Sequence, residues 1–394
     1  MGDQTLLSAF VASLHSNLFL REFSFARTCF TPSGGTEVEL ADHVVRVGDL
    51  LFLYQLKERD AAATGGVEAW IRNKVVKKAS RQIRSTIGLM GSGDPVRVPN
   101  ERGHMFDLSA QPDDARHSIV VFKSGDTRTP LPYPRFHLSG SVGFIHIFDV
   151  LDYLGICQYL ITPAEVAEYL AWRERVLQSS DAASVSEPAL LGQYMLDGAS
   201  SPAERFAHAL VALRDDVSGF DMSFILANLA DHVDSASKAD LGTKYYPLLR
   251  LLARMTRSEL RLLKERLKYA LTAVAEDRVE LPARFVSPKL RCGVVVVPVA
   301  AAHFSKRQVA LRNLSILAKY EHRTDMQIGI AVAKQEADVI IDWHYLESPW
   351  SYDWEIEEAL RDKYPFRPTS AGNLPRYEFD TESLRRGGLM GGKT

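Results

Sequence analysis

The segment from Glu39 to Arg59 limits the fold more strongly than any other part of the sequence. Two apolar runs, one ending at Val47 and the other beginning at Leu50, flank the dipeptide Gly48-Asp49. A Gly–Asp pair between two such runs is typical of a two-residue β-hairpin turn, because glycine readily supplies the positive φ that these turns require. The sequence therefore predicts two adjacent antiparallel strands in which Val47 pairs with Leu50.

This register brings three polar side chains to one face of the hairpin. Asp42 falls directly opposite Gln55, with β-carbons about 5 Å apart, and Lys57 follows Gln55 by two residues on the same face. Carboxylate and amide oxygens are hard ligands that suit Mg²⁺ or Mn²⁺. A lysine beside them can orient a water or neutralise charge on a phosphate. The residues favour a metal-assisted hydrolytic site, and the alternative is a polar sheet end satisfied by neighbouring backbone.

The next segment, Glu68–Met90, has apolar residues spaced by four and predicts a helix. No acidic residue follows Glu68 within it, whereas six basic ones do: Arg72, Lys74, Lys77, Lys78, Arg81 and Arg84. Such a strip suits a nucleic-acid phosphate backbone. An ordinary solvated helix face is the equally simple alternative.

An acid on one strand, Gln-x-Lys on the next and a basic helix after them resemble the PD-(D/E)xK nuclease superfamily, which has the restriction-endonuclease-like fold. The resemblance covers about residues 5–125, and reaches 175 if later strands complete the sheet. It implies that Asp42 and Gln55 bind the metal and that Lys57 assists catalysis. Gln at the first position of the second motif is similar to the Mrr-like branch. Many members also use an acid from the first helix, which would be Glu22 here.

RecB-like members of the superfamily carry a glutamine in the helix that follows the second motif, and Gln82 matches it. The expected nucleic-acid-binding residues are this glutamine and five of the six basic residues: Lys74, Lys77, Lys78, Arg81, Gln82 and Arg84.

Two departures from the family pattern leave two functions open. Ala41 stands where the family has proline, and Gln55 removes one negative charge, which Glu22, Glu39 or Glu58 could restore. The first function is a metal-dependent endodeoxyribonuclease, a hydrolase that uses Mg²⁺ or Mn²⁺. The alternative is a catalytically inert nuclease-fold subunit that binds nucleic acid or a partner protein.

The resemblance also implies a biological setting. Family members with large extensions often act in restriction or anti-phage defence, some beside a partner such as a prokaryotic Argonaute protein. DNA is then the expected substrate. A homodimer or higher oligomer is expected as well, since cutting both strands usually requires two active sites.

Composition shifts along the chain predict the domain organisation. We expect an α/β protein with a nuclease-like mixed-sheet domain at 1–178, a helical region at 188–280, a C-terminal α/β domain at 285–372 and a flexible Gly-rich tail at 375–394. The C-terminal domain contains three tryptophans that each follow an aspartate or a proline: Asp342-Trp343, Pro349-Trp350 and Asp353-Trp354. They predict either residues packed in the core and at the rim of this domain or a surface that binds a partner.

The charge and cysteine content exclude several classes of protein. A formal charge of -2 excludes a wholly basic, histone-like binder. Three widely separated cysteines, with no Cys/His cluster, argue against a disulfide framework or a structural zinc site.

The apolar segment Thr5–Leu20 has helical periodicity and no basic region before it, so we expect a buried helix rather than a signal peptide. No run is long enough for a membrane span, and a cytoplasmic location is expected.

Overall fold

The computed structural model describes residues 5–30, 38–60, 63, 66–125, 133–179, 184–197, 201–214, 222, 225–226, 229, 243–368 and 375–389. The chain divides into two compact units, the first formed by residues 1–214 with 379–394 and the second by residues 215–378. Each unit combines helices with its own sheet, and both of these sheets contain parallel and antiparallel pairs. The predicted α/β class with mixed sheets is confirmed.

A six-stranded sheet forms the centre of the first unit, with the spatial order β1-β2-β3-β6-β8-β7. The strands β3, β6 and β8 run parallel to one another, and the remaining strands pair antiparallel to their neighbours. The strand bounds are β1 Ser24–Phe30, β2 Val38–Val47, β3 Leu50–Glu58, β6 Ala115–Lys123, β7 Phe136–Ser139 and β8 Gly143–Asp149. A separate two-stranded ribbon is formed by β4 Arg97–Pro99 and β5 Met105–Asp107.

Helices cover both faces of this sheet. The connection from β3 to β6 is one continuous helical segment, made of α2 Val67–Trp70, a π-helical stretch Ile71–Lys78 and α3 Ala79–Met90. Its buried stripe packs on the face formed by β3, β6 and β8. The opposite face receives α1 Leu6–His15, α4 Val150–Tyr159 and α5 Pro163–Ser179. Because α3 packs on the face that carries alternate β3 residues such as Leu51 and Leu53, Gln55 and Lys57 also point to the helix side.

The helical region expected at 188–280 is divided between the units. Its first helices, α6 Glu187–Met195 and α7 His208–Ala212, belong to the first unit, where α6 packs beside α5. The tail expected to be flexible contains α12 Thr381–Arg386, whose Leu384 is buried against α7. Residues 390–394 lie outside the described residues.

The second unit is built on a four-stranded sheet of order β12-β11-β10-β9, in which only β10 and β11 are parallel. The strands are β9 Ala283–Ser287, β10 Cys292–Val299, β11 Met326–Gln335 and β12 Asp338–Glu347. The helices α8 Tyr246–Arg254 and α9 Arg257–Ala275 precede them, α10 Arg307–His322 joins β10 to β11, and α11 Trp354–Asp362 follows β12. Between α8 and α9, Thr256 starts the new helix with a capping box.

Candidate active site

The β2–β3 hairpin has the register that the sequence predicts. Val47 pairs with Leu50, and the ladder continues to His43 and Tyr54, so that Asp42 and Gln55 occupy the next opposed positions. Gly48 has a φ of 64°, as a tight hairpin turn requires. Beyond these pairs, the Leu56 N–H donates its hydrogen bond across the hairpin to a side chain rather than to a backbone carbonyl. The acceptor is Asp42 Oδ2, at 2.6 Å.

The ammonium group of Lys57 lies at the point where three oxygen atoms converge. Its Nζ is 3.2 Å from Asp42 Oδ2, 2.9 Å from Gln55 Oε1 and 3.0 Å from the carbonyl oxygen of Leu56. Gln55 is buried, and the side chains of Asp42 and Lys57 are 22% and 11% exposed. The three residues named by the sequence therefore form one compact cluster, which we call the hairpin cluster.

The hairpin cluster offers the oxygen types that Mg²⁺ and Mn²⁺ bind. Asp42 supplies a carboxylate, Gln55 an amide oxygen and Leu56 a main-chain carbonyl, all of them hard ligands. Within the described residues, no group of three His, Cys, Asp or Glu side chains is placed to hold a metal ion. A metal at the hairpin cluster would be held by the carboxylate of Asp42 and by the two neutral oxygens, with waters or phosphate oxygens completing its coordination.

Glu22 is not brought to the hairpin cluster. It lies in a short 3-10 helix just before β1. The first residue of β1, Ser24, pairs with Val45 near the hairpin turn, so Glu22 is close to the turn end of the hairpin. Its carboxylate accepts a hydrogen bond of 2.9 Å from Arg102, and it is 3% exposed. The geometry gives Glu22 a structural ion pair rather than a place beside Asp42.

The other two candidate acids also have different surroundings. Glu58 follows Lys57 on β3 and points to the opposite face, where it accepts hydrogen bonds from the Leu7 N–H and from Lys123. Burial raises its pKa, but these two hydrogen bonds, the charge of Lys123 and a hydrogen bond from Thr5 together outweigh that effect and leave the pKa lowered. The side chain of Glu39 lies outside the described residues.

The helical segment 67–90 exposes all of its basic side chains while burying its apolar stripe. Arg72, Lys74, Lys77, Lys78, Arg81 and Arg84 are exposed to solvent. Gln82 lies one turn before Thr86, which bonds the carbonyl oxygen of Leu40 on β2, two residues from Asp42. The Oε1 atom of Gln82 is buried and has no hydrogen-bond partner among the described residues. The segment thus packs against the sheet face that bears the hairpin cluster and presents a cationic surface outward.

Two features of the site region are absent from the sequence reasoning. Leu56 contributes both a backbone N–H and a carbonyl oxygen to the hairpin cluster. The signal for this is its position in the strand, because Leu56 lies between Gln55 and Lys57, whose side chains share the face of the cluster. On the other face of the hairpin, the rings of His43 and His15 meet edge to face at 4.5 Å, and the Tyr153 hydroxyl donates a hydrogen bond of 2.9 Å to the Tyr54 hydroxyl. His43 therefore packs on the face opposite to Asp42, and burial lowers its pKa to about 3.

No protein-family model, curated protein or solved structure matches this chain. Among the residues that the structure describes, no helix has the length and apolar character needed to cross a membrane.

Proposed function

We propose that the chain is a metal-dependent nuclease that hydrolyses DNA phosphodiester bonds at the hairpin cluster. The observation that carries the proposal is the convergence of Asp42, Gln55 and the Leu56 carbonyl oxygen on the position of Lys57 Nζ. A bound Mg²⁺ or Mn²⁺ supplies a Lewis acid and acidifies a water. Asp42 and Gln55 would hold that ion, and Lys57 would neutralise charge on the phosphate or orient the attacking water.

The choice of a nucleic-acid substrate is supported by the basic helical surface. Six exposed cations lie on a segment that packs against the same sheet face as the hairpin cluster. Neutralising phosphates with such side chains gives sequence-independent affinity that weakens as salt rises. Lys74, Lys77, Lys78, Arg81 and Arg84 would position the strand, and Gln82, whose Oε1 is buried without a hydrogen-bond partner among the described residues, would add a polar contact.

The biological setting remains a proposal that rests on the family resemblance. An effector of restriction or anti-phage defence would suit a nuclease that acts only when assembled, because an undirected nuclease would damage its host. A second copy of the chain, or a recognition partner such as a prokaryotic Argonaute, would supply that control. Binding of either that leaves cleavage unchanged would count against this role.

One observation favours an inert binding subunit as the second candidate. Lys57 already pairs with Asp42, so one ammonium balances the one carboxylate of the hairpin cluster. A divalent ion must compete with this ion pair, and a cluster that has lost its second acid competes weakly for the metal. In this alternative, the basic surface binds nucleic acid and no bond is cut.

A cleavage assay tests the two candidates. Plasmid, single-stranded DNA and RNA are incubated with the chain in Mg²⁺, in Mn²⁺ and in EDTA. We expect metal-dependent DNA cleavage that Lys57→Ala and Asp42→Asn abolish while their thermal unfolding shows a folded chain. Lys123→Ala is the matched control, because Lys123 also ends a β-strand in an ion pair but on the opposite sheet face.

Full cleavage by either hairpin-cluster variant would refute the catalytic assignment. DNA binding without cleavage in any metal, including in the presence of captured partners, would favour the inert subunit. Cleavage of RNA alone would keep the mechanism and change the substrate.

A further inference from the structure

An open pocket of about 520 Å³ lies in the second unit, beyond β12 and beside the C-terminal end of α10. It is unusually rich in aromatic rings, and its lining includes Tyr320, Trp350, Tyr352 and Tyr364 together with Arg323 and Arg361. The volume is within the range of small-molecule sites. Trp350, from one of the three tryptophan pairs of the C-terminal domain, lines this pocket.

The central ring of the pocket is held in a fixed orientation. The indole N–H of Trp350 donates to the carbonyl oxygen of Tyr320 at 2.9 Å, and its backbone N–H donates to Asp325 at 3.2 Å. The Trp350 and Tyr320 ring centroids are 5.7 Å apart, and Tyr352 lies 6.5 Å from Tyr320. A platform ordered before binding loses little entropy when a flat ligand stacks on it.

Cationic groups border these rings. The guanidinium carbon of Arg323 lies 5.5 Å from the centroid of the Trp350 ring, and Arg361 is 80% exposed at the side chain. Arg361 lies 3.8 Å from Glu357 in an exposed i,i+4 ion pair. Such a pair contributes little to stability, so Arg361 can leave Glu357 to bind an anionic ligand. Both arginines can therefore reach an anionic group at the pocket mouth.

The carboxylates of the pocket are already engaged. Glu321 accepts hydrogen bonds from Arg284 at 2.6 and 2.9 Å and from the Tyr364 hydroxyl, and Glu357 accepts one of 3.0 Å from the Tyr320 hydroxyl. The two lining acids, Glu321 and Glu357, balance the two lining arginines, Arg323 and Arg361. Because both carboxylates are engaged while Arg323 and Arg361 stand beside the rings, the pocket favours an anionic ligand over a cationic one such as a methylated lysine.

We propose that this pocket binds a nucleotide, with the base stacked on Trp350 and Tyr352 and the phosphate held by Arg323 and Arg361. Aromatic rings stack with any nucleobase because every base has a π-face, and guanidinium groups match phosphate oxygens. The ligand is either a free nucleotide or a nucleotide of a single strand. The inference is independent of the hairpin cluster, which lies in the first unit.

Isothermal titration of the full chain tests the proposal with four probes: ATP, adenosine, tripolyphosphate and 5′-phosphorylated oligothymidylate. We expect ATP or the oligonucleotide to bind, and adenosine or tripolyphosphate to bind more weakly than the complete nucleotide. Binding by ATP identifies a free nucleotide as a ligand, and binding by the oligonucleotide alone identifies a strand.

Tyr352→Ala removes an exposed ring and should weaken binding about 5- to 150-fold, the range of one base–aromatic stack. Arg323→Gln with Arg361→Gln should weaken the phosphate-bearing probes and leave adenosine unaffected. The matched controls are Trp354→Ala and Lys363→Gln, two exposed residues of the same region that do not line the pocket.

Absence of binding by both ATP and the oligonucleotide overturns the proposal. So does binding that survives Tyr352→Ala and the double arginine variant, or tripolyphosphate binding as tight as ATP. Preferential binding of a trimethyl-lysine peptide would also refute it and assign the pocket to a cation.

Discussion

Replacing Gln55 by glutamate should convert the hairpin cluster into a tighter metal site. The substitution keeps the size of the side chain and adds a negative charge beside Asp42. Lys57 Nζ lies within hydrogen-bond distance of the affected oxygen, so the new charge has a partner even without metal. We therefore expect a folded variant in which a divalent ion competes better for the three converging oxygens.

The structure sets the size of this effect. Gln55 Oε1 lies 2.9 Å from Lys57 Nζ, and a new unit charge at that distance attracts a divalent ion by about 3 kcal/mol in the dielectric constant of water. Burial opposes the gain, because Gln55 is 2% exposed and an ionised carboxylate loses hydration there. If the loss of hydration cancels about half of this attraction, about 1.4 kcal/mol remains, which corresponds to a roughly tenfold gain in affinity for the divalent ion.

Calorimetric titration with Mn²⁺ alone measures this gain without relying on cleavage. Gln158→Glu is the matched control, because Gln158 is exposed on α4 and adds the same charge away from the hairpin cluster. Equal Mn²⁺ affinities for the parent, Gln55→Glu and Gln158→Glu would show that the cluster is not a metal site. A gain in both variants would reduce the effect to net charge.

Three further predictions concern the surroundings of the site. Replacing Lys77 and Lys78 by glutamine should lower the slope of log affinity for DNA against log salt by about 2, measured by fluorescence anisotropy. Burial lowers the pKa of His43 to about 3, so below the ordinary histidine pKa the unfolded chain binds a proton that the native state does not. The contribution of His43 to stability is therefore complete above about pH 6.5 and falls by about 1.4 kcal/mol for each pH unit from there down to about pH 3, and urea unfolding of His43→Phe should lack it. Glu187→Gln should cost about 3–5 kcal/mol in urea unfolding, because the fully buried Arg173 loses its counter-charge; a stability equal to the parent would contradict this.

The hairpin could be predicted because its determinants are local. Turn chemistry at Gly48-Asp49 fixes the pairing, and the alternation of apolar residues then fixes the faces. Strand β9 could not be predicted in the same way, because prolines at 282 and 288 bracket it and mark a break. It lies at the edge of its sheet and pairs only with β10, where flanking prolines remove no ladder hydrogen bond.

The site was predictable only where side-chain positions follow from strand geometry. Asp42, Gln55 and Lys57 converge because they share one face of a single hairpin. The position of Glu22 depends instead on how the chain leaves the first helix, through a π-helical stretch and Leu20 at a φ of 67°. A positive φ at a leucine cannot be predicted from the sequence, because leucine rarely adopts one. This backbone conformation places Glu22 beside Arg102, with which it forms an ion pair.

Lys57 decides between the two candidate functions because its charge opposes metal binding and favours phosphate binding. Paired with Asp42, it leaves the hairpin cluster neutral, so a divalent ion alone gains little there. A DNA phosphate would bring negative charge and further oxygen ligands, and Lys57 would then exchange Asp42 for the phosphate. An active enzyme should accordingly bind Mn²⁺ more tightly when a DNA strand is present, and Lys57→Ala should remove most of that cooperativity. If Mn²⁺ affinity is the same with and without DNA, the hairpin cluster remains a structural ion pair and the inert subunit is the better description.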